Sequence, residues 1–205
     1  MRIVQLLGHS TGGIGTHVAH LTEQLRDAGE EVVVVGPAGT VERFDMGRSW
    51  CWWPLARGPR ALLAAVRGLR RTRAMVASAD VLHAHGHQAG LVAATLLLGL
   101  RVRGRRGPRL VVSWHNAVLP APGAREPAER AQHAIPHKGG GWRGWVQRYA
   151  VRRADLVSGA SRDLVAGAER LGAQRARLAA VPSPRVAPQI RQARRPSLEC
   201  RCRGP

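Results

Sequence analysis

The chain has 205 residues, of which 44% are hydrophobic and 22% charged, so it can form a folded core and is not a wholly disordered protein. It has no G-X-Y period and no sustained heptads, which excludes collagen and coiled coils, and its longest uncharged apolar run (residues 89–100) is shorter than the roughly 20 residues of a membrane-spanning helix. The net charge of +19 lies after residue 50, but 31 of the 32 basic residues are arginines and no aromatic-interleaved basic motif accompanies them, so we expect no nucleic-acid partner.

The cysteines and the N-terminus point to an intracellular protein. Cys51, Cys200 and Cys202 are too few for a disulfide framework, and their spacing fits no zinc site. The apolar run after Met1 is too short for a signal peptide. We therefore expect a reduced, cytoplasmic protein.

The first forty residues predict a β-α-β unit. Residues 3–7 form a short apolar run ended by Gly8, and residues 31–35 form a β-branched run typical of a strand buried on both faces. Between them apolar residues recur at helical spacing, and Gly29 stands where a helix C-cap is expected. A right-handed crossover then makes the two strands a parallel pair.

Strand and helix patterns continue to alternate along the chain. Further strands are expected at residues 80–85, 109–114, 155–158 and 177–181. Helices are expected at residues 60–76, 88–100, 142–153 and 161–171. In the first of these helices we expect an inward face of Leu62, Val66, Leu69 and Val76. The alternation predicts an α/β fold with a doubly wound, mostly parallel sheet.

The alternation also sets the expected domain boundary. Residues 117–141 contain several prolines and a triple glycine, which predicts a long loop of the kind found near functional sites. After residue 181 prolines and arginines replace the periodic pattern. We therefore expect one domain over residues 1–184 and a disordered, arginine-rich tail over residues 185–205.

A glycine cluster opens the first predicted helix. Gly12, Gly13 and Gly15, followed by Thr16, let the backbone approach a ligand closely, and the free N–H groups of a helix N-terminus attract anions. The cluster is neither a Walker A loop nor a G-x-G-x-x-G motif. The alternative interpretation is a tight turn that lets the helix pack on the strand.

Histidines end two of the predicted strands. His83, His85 and His87 alternate at a strand end, where open α/β sheets bind ligands. Two histidines on one face of a strand lack a third ligand, so we expect no metal site; one histidine should pack in the fold and one or two should line a cleft. His115 ends the next strand at the same edge and is a candidate site residue.

Several segments together resemble the N-terminal domain of family-4 retaining glycosyltransferases. Residues 12–35, 80–93, 110–116, 154–165 and 177–184 follow one another in the order seen in that family. The resemblance covers residues 1–184 and implies one half of a GT-B enzyme. Such an enzyme transfers a sugar from a nucleotide-sugar to an acceptor with retention of configuration, and it needs no cofactor besides that co-substrate.

The resemblance also implies roles for individual residues. Gly12, Gly13 and Gly15 match a loop that lies against the donor diphosphate and the acceptor. His85 and Gly90 match residues on the acceptor side, and His115 matches the histidine that contacts the transferred sugar. Further candidates for donor or acceptor binding are Thr16, Asn116 and Ser161, and candidate cations for an anionic acceptor are Lys138, Arg143 and Arg148. Taken alone, Ser161 is typical of a helix N-cap.

The region that should build the second half of such an enzyme is missing from the pattern. The residues after Val181 contain one acidic residue, Glu199, and no strand–helix alternation. We therefore expect the chain to be inactive alone. It is either a truncated remnant or half of a split enzyme whose donor domain is a separate polypeptide.

The sequence also bears on two alternative functions. The arginine-flanked helix over residues 60–73, together with the tail, favours a non-catalytic protein that binds anionic lipid at the inner face of the membrane. A nicotinamide-dependent enzyme is disfavoured, because residues 36–38 are Gly-Pro-Ala where an acidic residue should hold the ribose.

Overall fold

The structure, a computed structural model, describes residues 1–54, 59–102, 104, 106–115 and 142–179. Seven strands form one parallel sheet: β1 Arg2–Leu7, β2 Glu31–Gly36, β3 Ser49–Cys51, β4 Val81–His85, β5 Arg109–Trp114, β6 Leu156–Gly159 and β7 Ala176–Leu178. The helices between them are α1 Gly13–Asp27, α2 Ala38–Arg43, α3 Pro59–Ala77, α4 His87–Arg101, α5 Trp142–Arg153 and α6 Arg162–Arg170. This confirms the predicted α/β fold with its doubly wound parallel sheet.

The order of the strands determines where a ligand can bind. Across the sheet the strands run β3-β2-β1-β4-β5-β6-β7, so the chain builds outward from β1 in one direction and then in the other. β1 and β4 are therefore neighbours at the point where the direction of winding reverses, with Leu7 paired to His85 at their carboxyl ends. In open α/β sheets the crevice outside the strand ends at such a point is the usual ligand site.

The strands form because their side chains are buried on both faces. Residues 3–7 and 32–36 are all buried, which is why these segments contain continuous apolar runs rather than an alternating pattern. Each fully buried valine or leucine side chain contributes about 1.5–3 kcal/mol to the free energy of folding. One member of the first run is polar: Gln5 is completely buried in β1.

The apolar side chains form two clusters on opposite faces of the sheet. The larger cluster joins Val4 and Leu82 of the central strands to residues of α3, α4, α5 and α6. The smaller joins Leu7 and Val34 to Val18 of α1 and to Val41 of α2. The face that α1 covers thus has the smaller apolar core, and it is also the face from which Gln5 projects.

The predicted inward face of α3 is partly wrong. Val76 is buried and Leu69 is partly buried, as expected, but Leu62 and Val66 are each 58% exposed. Leu63 beside them is exposed as well. The helix exists where the sequence predicts it, but it is rotated about its axis relative to the expected orientation.

Two tryptophans before α3 explain this rotation. The Trp52 indole N–H donates to the Ala65 carbonyl at 2.7 Å, and the Trp50 indole N–H donates to the Thr72 hydroxyl at 3.1 Å. A Cβ at Gly68 would overlap the Trp52 ring, so this glycine lets the indole lie against the helix backbone. α3 therefore turns its small residues toward the sheet and leaves three larger apolar side chains outside.

Some expectations lie outside the described residues: the long loop over residues 117–141, the tail over residues 185–205, and the candidates Asn116 and Lys138. Among the helices that the structure describes, none is long and apolar enough to cross a membrane.

Candidate functional site

An open cavity of about 280 Å³ lies at the carboxyl edge of the sheet, between the ends of β1 and β4. Residues 7–10 and Ile14 line it on the β1 side, residues 85–89 line it on the β4 side, and His115 closes it beyond β5. Its position is the crevice that the strand order predicts.

The glycine-containing N-terminus of α1 borders the cavity; of its residues Ile14 lines the cavity, and Gly12, Gly13, Gly15 and Thr16 do not. Gly12 is the N-cap and therefore has no side chain to accept the N–H groups of the first turn. A Cβ at Gly12 or Gly13 would meet nothing within 4 Å. In the part of the chain that the structure describes, the N–H groups of Gly13 and Ile14 have no acceptor within the protein. This helix start is open to a ligand and carries the partial positive charge that favours an anion.

The third glycine of the cluster has a different role. Gly15 is buried, and a Cβ there would overlap the Phe44 ring, so its hydrogen atom gives the aromatic side chain room. Its N–H donates to the Ser10 hydroxyl at 3.0 Å. Thr16 is exposed, with its N–H bonded to the Gly12 carbonyl. The structure thus places Gly12 and Gly13 at the open helix start and Gly15 in the packing beneath it.

A second glycine N-cap faces the same cavity. Gly86 precedes α4 with φ of 87°, a left-handed conformation that glycine adopts without strain. Its N–H donates to the Ser113 carbonyl at 2.8 Å, and a Cβ on it would meet nothing within 4 Å. The sequence analysis missed Gly86, although its position between His85 and His87 at a strand–helix junction was a usable signal.

Three histidines from three elements come together at the cavity: His85 and His115 line it, and His17 lies beside them. His85 at the end of β4 is buried, and its Nδ1 lies 3.4 Å from Nε2 of His115, which follows β5. The His17 ring, from the second turn of α1, lies 4.8 Å from the His115 ring and 6.1 Å from the His85 ring. His17 was not a sequence candidate, because a half-buried helical histidine has no distinctive pattern.

A chain of hydrogen bonds fixes the orientation and tautomer of His85. The Thr22 hydroxyl donates to the Val18 carbonyl at 2.7 Å and accepts from the Gln5 amide nitrogen at 3.0 Å. The Gln5 amide oxygen therefore faces His85 and accepts from its Nε2–H at 2.9 Å. With the proton on Nε2, neutral His85 presents the lone pair of Nδ1 to the cavity.

Burial keeps these imidazoles uncharged. Burial and the neighbouring His83 and His115 hold the pKa of His85 well below its usual 6.5. Burial, with a smaller contribution from His17, lowers the pKa of His115 to about 4. The pKa of His17 is lowered as well, mainly by burial. All three rings are therefore neutral at pH 7 and act through lone pairs and N–H groups rather than through positive charge.

The two remaining histidines of the β4 region differ in role. His83 lies below the cavity, with its Nε2 at 2.6 Å from the Ser113 hydroxyl, which in turn lies 2.6 Å from the Ser158 hydroxyl. It packs within the fold, as one of these histidines was expected to do. His87 lines the cavity, and its ring lies 4.6 Å from that of Trp114.

Two other candidates lie outside the cavity lining. Gly90 is buried in α4, where a Cβ would lie 3.2 Å from Val112 and 3.3 Å from Ala150, so it permits close helix packing. Ser161 is the N-cap of α6, as its sequence context predicts, and its hydroxyl lies 3.4 Å from Asp163. Both residues have structural roles in this chain.

The candidate cations are only partly described. Arg148 is exposed on α5, and Arg143 lies near the start of the same helix. Neither Arg148 nor any other residue of α5 is among those that line the cavity.

The chain resembles known proteins both in sequence and in fold. Residues 12–184 match the family described as "Glycosyl transferase 4-like domain". No curated protein sequence matches the chain. Among solved structures, Anabaena HepE in complex with UDP superposes with a TM-score of 0.58 and 17% identity, and the same protein with UDP and glucose superposes with a TM-score of 0.56 and 17% identity. S. aureus MnaA with UDP gives a TM-score of 0.50 at 10% identity over 84% of this chain and 41% of MnaA. The alignments to HepE cover 94% of this chain and 50% of HepE, so the chain spans about half the length of that structural relative.

Proposed function

Because the chain belongs to the glycosyl transferase 4-like family, we propose that its cavity is one side of a site that transfers a sugar from a nucleotide-sugar donor to an acceptor with retention of configuration. The chain spans half of the HepE structure, so the other side of the site would come from a further domain or a separate subunit. The presence of UDP in the HepE and MnaA structures supports a uridine nucleotide as the donor's leaving group. The proposed reaction needs no organic cofactor.

The observation that carries the proposal is that two helices with glycine N-caps begin at one cavity: Ile14 in the first turn of α1 lines it, and so does Gly86, the N-cap of α4. Sugar transfer develops negative charge on the departing diphosphate, and preorganised N–H groups at helix starts stabilise such charge. Gly12 with Gly13 at α1, and Gly86 at α4, leave space where side chains would otherwise block a phosphate.

We expect His115 to contact the transferred sugar. Since His85 presents a lone pair at Nδ1, His115 donates its Nε2–H to it across 3.4 Å, which leaves His115 Nδ1 as an acceptor. A neutral imidazole acceptor can orient a sugar hydroxyl by accepting its proton in a hydrogen bond. The departing phosphate can itself take the acceptor's proton, so the mechanism requires no protein base.

Binding of UDP-glucose and of inorganic diphosphate, measured by calorimetry, tests the proposal. Gly13→Val fills the open helix start and should weaken binding at least about tenfold, a change of about 1.4 kcal/mol. Gly39→Val is the matched control, because Gly39 also lies in the first turn of a helix with nothing within 4 Å of its Cβ position, but that helix is α2, no residue of which lines the cavity, whereas Gly13 directly precedes the lining residue Ile14. Equal affinities in the two variants, or no effect of His115→Ala, would contradict the proposed site.

A second candidate function is binding to an anionic lipid surface through the outer face of α3. Leu62, Leu63 and Val66 are 57–58% exposed there, and Arg60, Arg67 and Arg70 are exposed on the same helix. An apolar strip flanked by arginines matches the boundary between acyl chains and anionic headgroups. This function is compatible with glycosyl transfer to an acceptor at a membrane, or it can replace it.

Vesicle flotation distinguishes these cases. The chain should float with vesicles that contain phosphatidylglycerol and not with pure phosphatidylcholine vesicles, and Leu62→Ser with Val66→Ser should abolish flotation. Val102→Ser is the control, because Val102 is also an exposed apolar residue, at 77%, but it lies at the end of α4 and not on α3. Flotation that survives the α3 substitutions would rule out this surface.

A further inference from the structure

The histidines of the cavity carry more than the proposed sugar contact requires. The coordinating nitrogens of His17, His85 and His115 all lie within 4.8 Å of one another. They come from α1, from the end of β4 and from the residue after β5, so their convergence is a product of the fold. The sequence predicted no metal because two histidines on one strand lack a third ligand, and the fold supplies further ligands from other elements.

We propose that His17, His85 and His115 bind a Zn²⁺ ion, with the fourth coordination position open to the cavity. Two nitrogens held by one tetrahedral zinc at about 2.0–2.1 Å lie roughly 3.3 Å apart. The nitrogens of His85 and His115 already lie 3.4 Å apart, and small side-chain rotations of half-buried His17 bring in the third. Three imidazoles with one open position is a zinc arrangement that keeps a site for an exchangeable ligand.

The layer behind the ligands is also suited to a metal. His85 donates Nε2–H to the Gln5 amide, which is held in turn by Thr22, so its Nδ1 lone pair is directed into the cavity. Metal-binding histidines characteristically donate their second N–H to such a partner, which fixes the ring and raises its basicity.

The surroundings also indicate what would occupy the open position. No carboxylate belongs to the described cluster, and the positive ends of α1 and α4 face the same cavity. A bound Zn²⁺ would leave this region strongly positive, so the fourth ligand should be an anion. Phosphate oxygens are the chemistry that both the zinc and the two helix starts would accept.

The test is a titration of the metal-free chain with Co²⁺ as a spectroscopic probe and then with Zn²⁺. Thiolates also bind zinc, so the titration uses the chain with Cys51→Ser, Cys200→Ser and Cys202→Ser. We expect one equivalent of Co²⁺ with the visible absorption of a tetrahedral complex, displaced by Zn²⁺, which such sites bind more tightly. Inorganic phosphate should shift this spectrum, and an unchanged spectrum would overturn the assignment of an open fourth position.

The variants locate the ion. His17→Ala should lower the Zn²⁺ affinity by more than about a hundredfold, since loss of an outer-sphere partner alone costs about 10–100-fold. His20→Ala is the matched control, because His20 is exposed on the same helix and lies outside the cluster. Its affinity should stay within about twofold of that of the parent chain. His115→Ala serves as a second ligand variant, and circular dichroism verifies that each variant folds.

The outcomes separate this proposal from the glycosyl-transfer proposal. Absence of saturable Zn²⁺ binding up to about 100 µM, or equal affinities in the His17→Ala and His20→Ala chains, would overturn the metal site. UDP-glucose binding with and without Zn²⁺ is measured independently. If the chain binds no Zn²⁺ but Gly13→Val still loses UDP-glucose binding, the glycosyltransferase site is supported and only the metal site is overturned.

Discussion

Replacing Gln5 by methionine should destabilise the fold although the new side chain is apolar and of similar length. Gln5 is completely buried and makes two hydrogen bonds, at 3.0 Å to Thr22 and at 2.9 Å to His85. Each such bond contributes about 1 kcal/mol to stability, and the imidazole N–H left without a partner adds about 1–3 kcal/mol. After the gain from burying methionine, we expect Gln5→Met to lower the free energy of unfolding by about 2–4 kcal/mol.

A double-mutant cycle with Thr22→Val tests whether the bonds act as the structure indicates. Thr22→Val alone leaves one Gln5 N–H unpaired and should cost about 1–2 kcal/mol, but in the Gln5→Met background that partner is already gone. The two substitutions should therefore be non-additive by about 1 kcal/mol. Thr95→Val is the control, because Thr95 makes the same hydroxyl bond to the carbonyl four residues earlier but is exposed and has no glutamine partner.

Urea unfolding followed by tryptophan fluorescence supplies these free energies, and ¹⁵N NMR of the His85 ring gives its tautomer directly. The reasoning is refuted if Gln5→Met changes stability by less than about 0.5 kcal/mol, if the cycle is additive within about 0.3 kcal/mol, or if the proton of His85 lies on Nδ1.

Three further predictions concern stability. Gly36→Ala places a Cβ 2.9 Å from the Leu7 carbonyl oxygen and should cost about 1–3 kcal/mol in urea unfolding, whereas Gly39→Ala, with open space, should cost little. Burial lowers the pKa of His83 from 6.5 to about 4, so the unfolded chain takes up a proton first as the pH falls. The His83 contribution is therefore complete above about pH 6.5, falls by about 2 kcal/mol by pH 5, and should be absent in His83→Gln, as unfolding at the two pH values would show. Leu82→Ala empties a fully buried site in β4 and should lower the urea midpoint by the equivalent of about 2–5 kcal/mol.

The sequence predicted the central strands well because the apolar residues of each strand are enough to indicate that it is buried. Apart from Gln5 and Glu31, residues 3–7 and 31–35 are all apolar, and a strand buried on both faces requires little else. The rotation of α3 could not be predicted in this way. It depends on Trp50 and Trp52, whose bonds to the helix link residues 22 and 13 positions apart, and helical periodicity contains no information about them.

The candidate site also combines residues that the sequence indicated with residues that it did not. His85 and His115 were predictable because each ends a strand, and the ends of neighbouring parallel strands meet at one edge. His17 was missed because its contribution depends on how α1 enters the cavity, which the glycines before it determine. The roles of Gly15 and Gly90 could not be assigned either, since a glycine that makes room for Phe44 or Val112 is identical in sequence to one that makes room for a phosphate.

The strand register adds a reason to regard this edge as functional. Gln5 pairs with His83 across β1 and β4, and Ser113 pairs with Ser158 across β5 and β6, so a row of polar side chains crosses four strands on one face. In a sheet whose other central positions are apolar, burying such a row costs free energy that its hydrogen bonds only partly offset. Stability alone would favour valine at these positions. Gln5 of this row accepts from His85, which lines the cavity, and fixes the orientation of its ring, so the cost is concentrated where an oriented imidazole is useful.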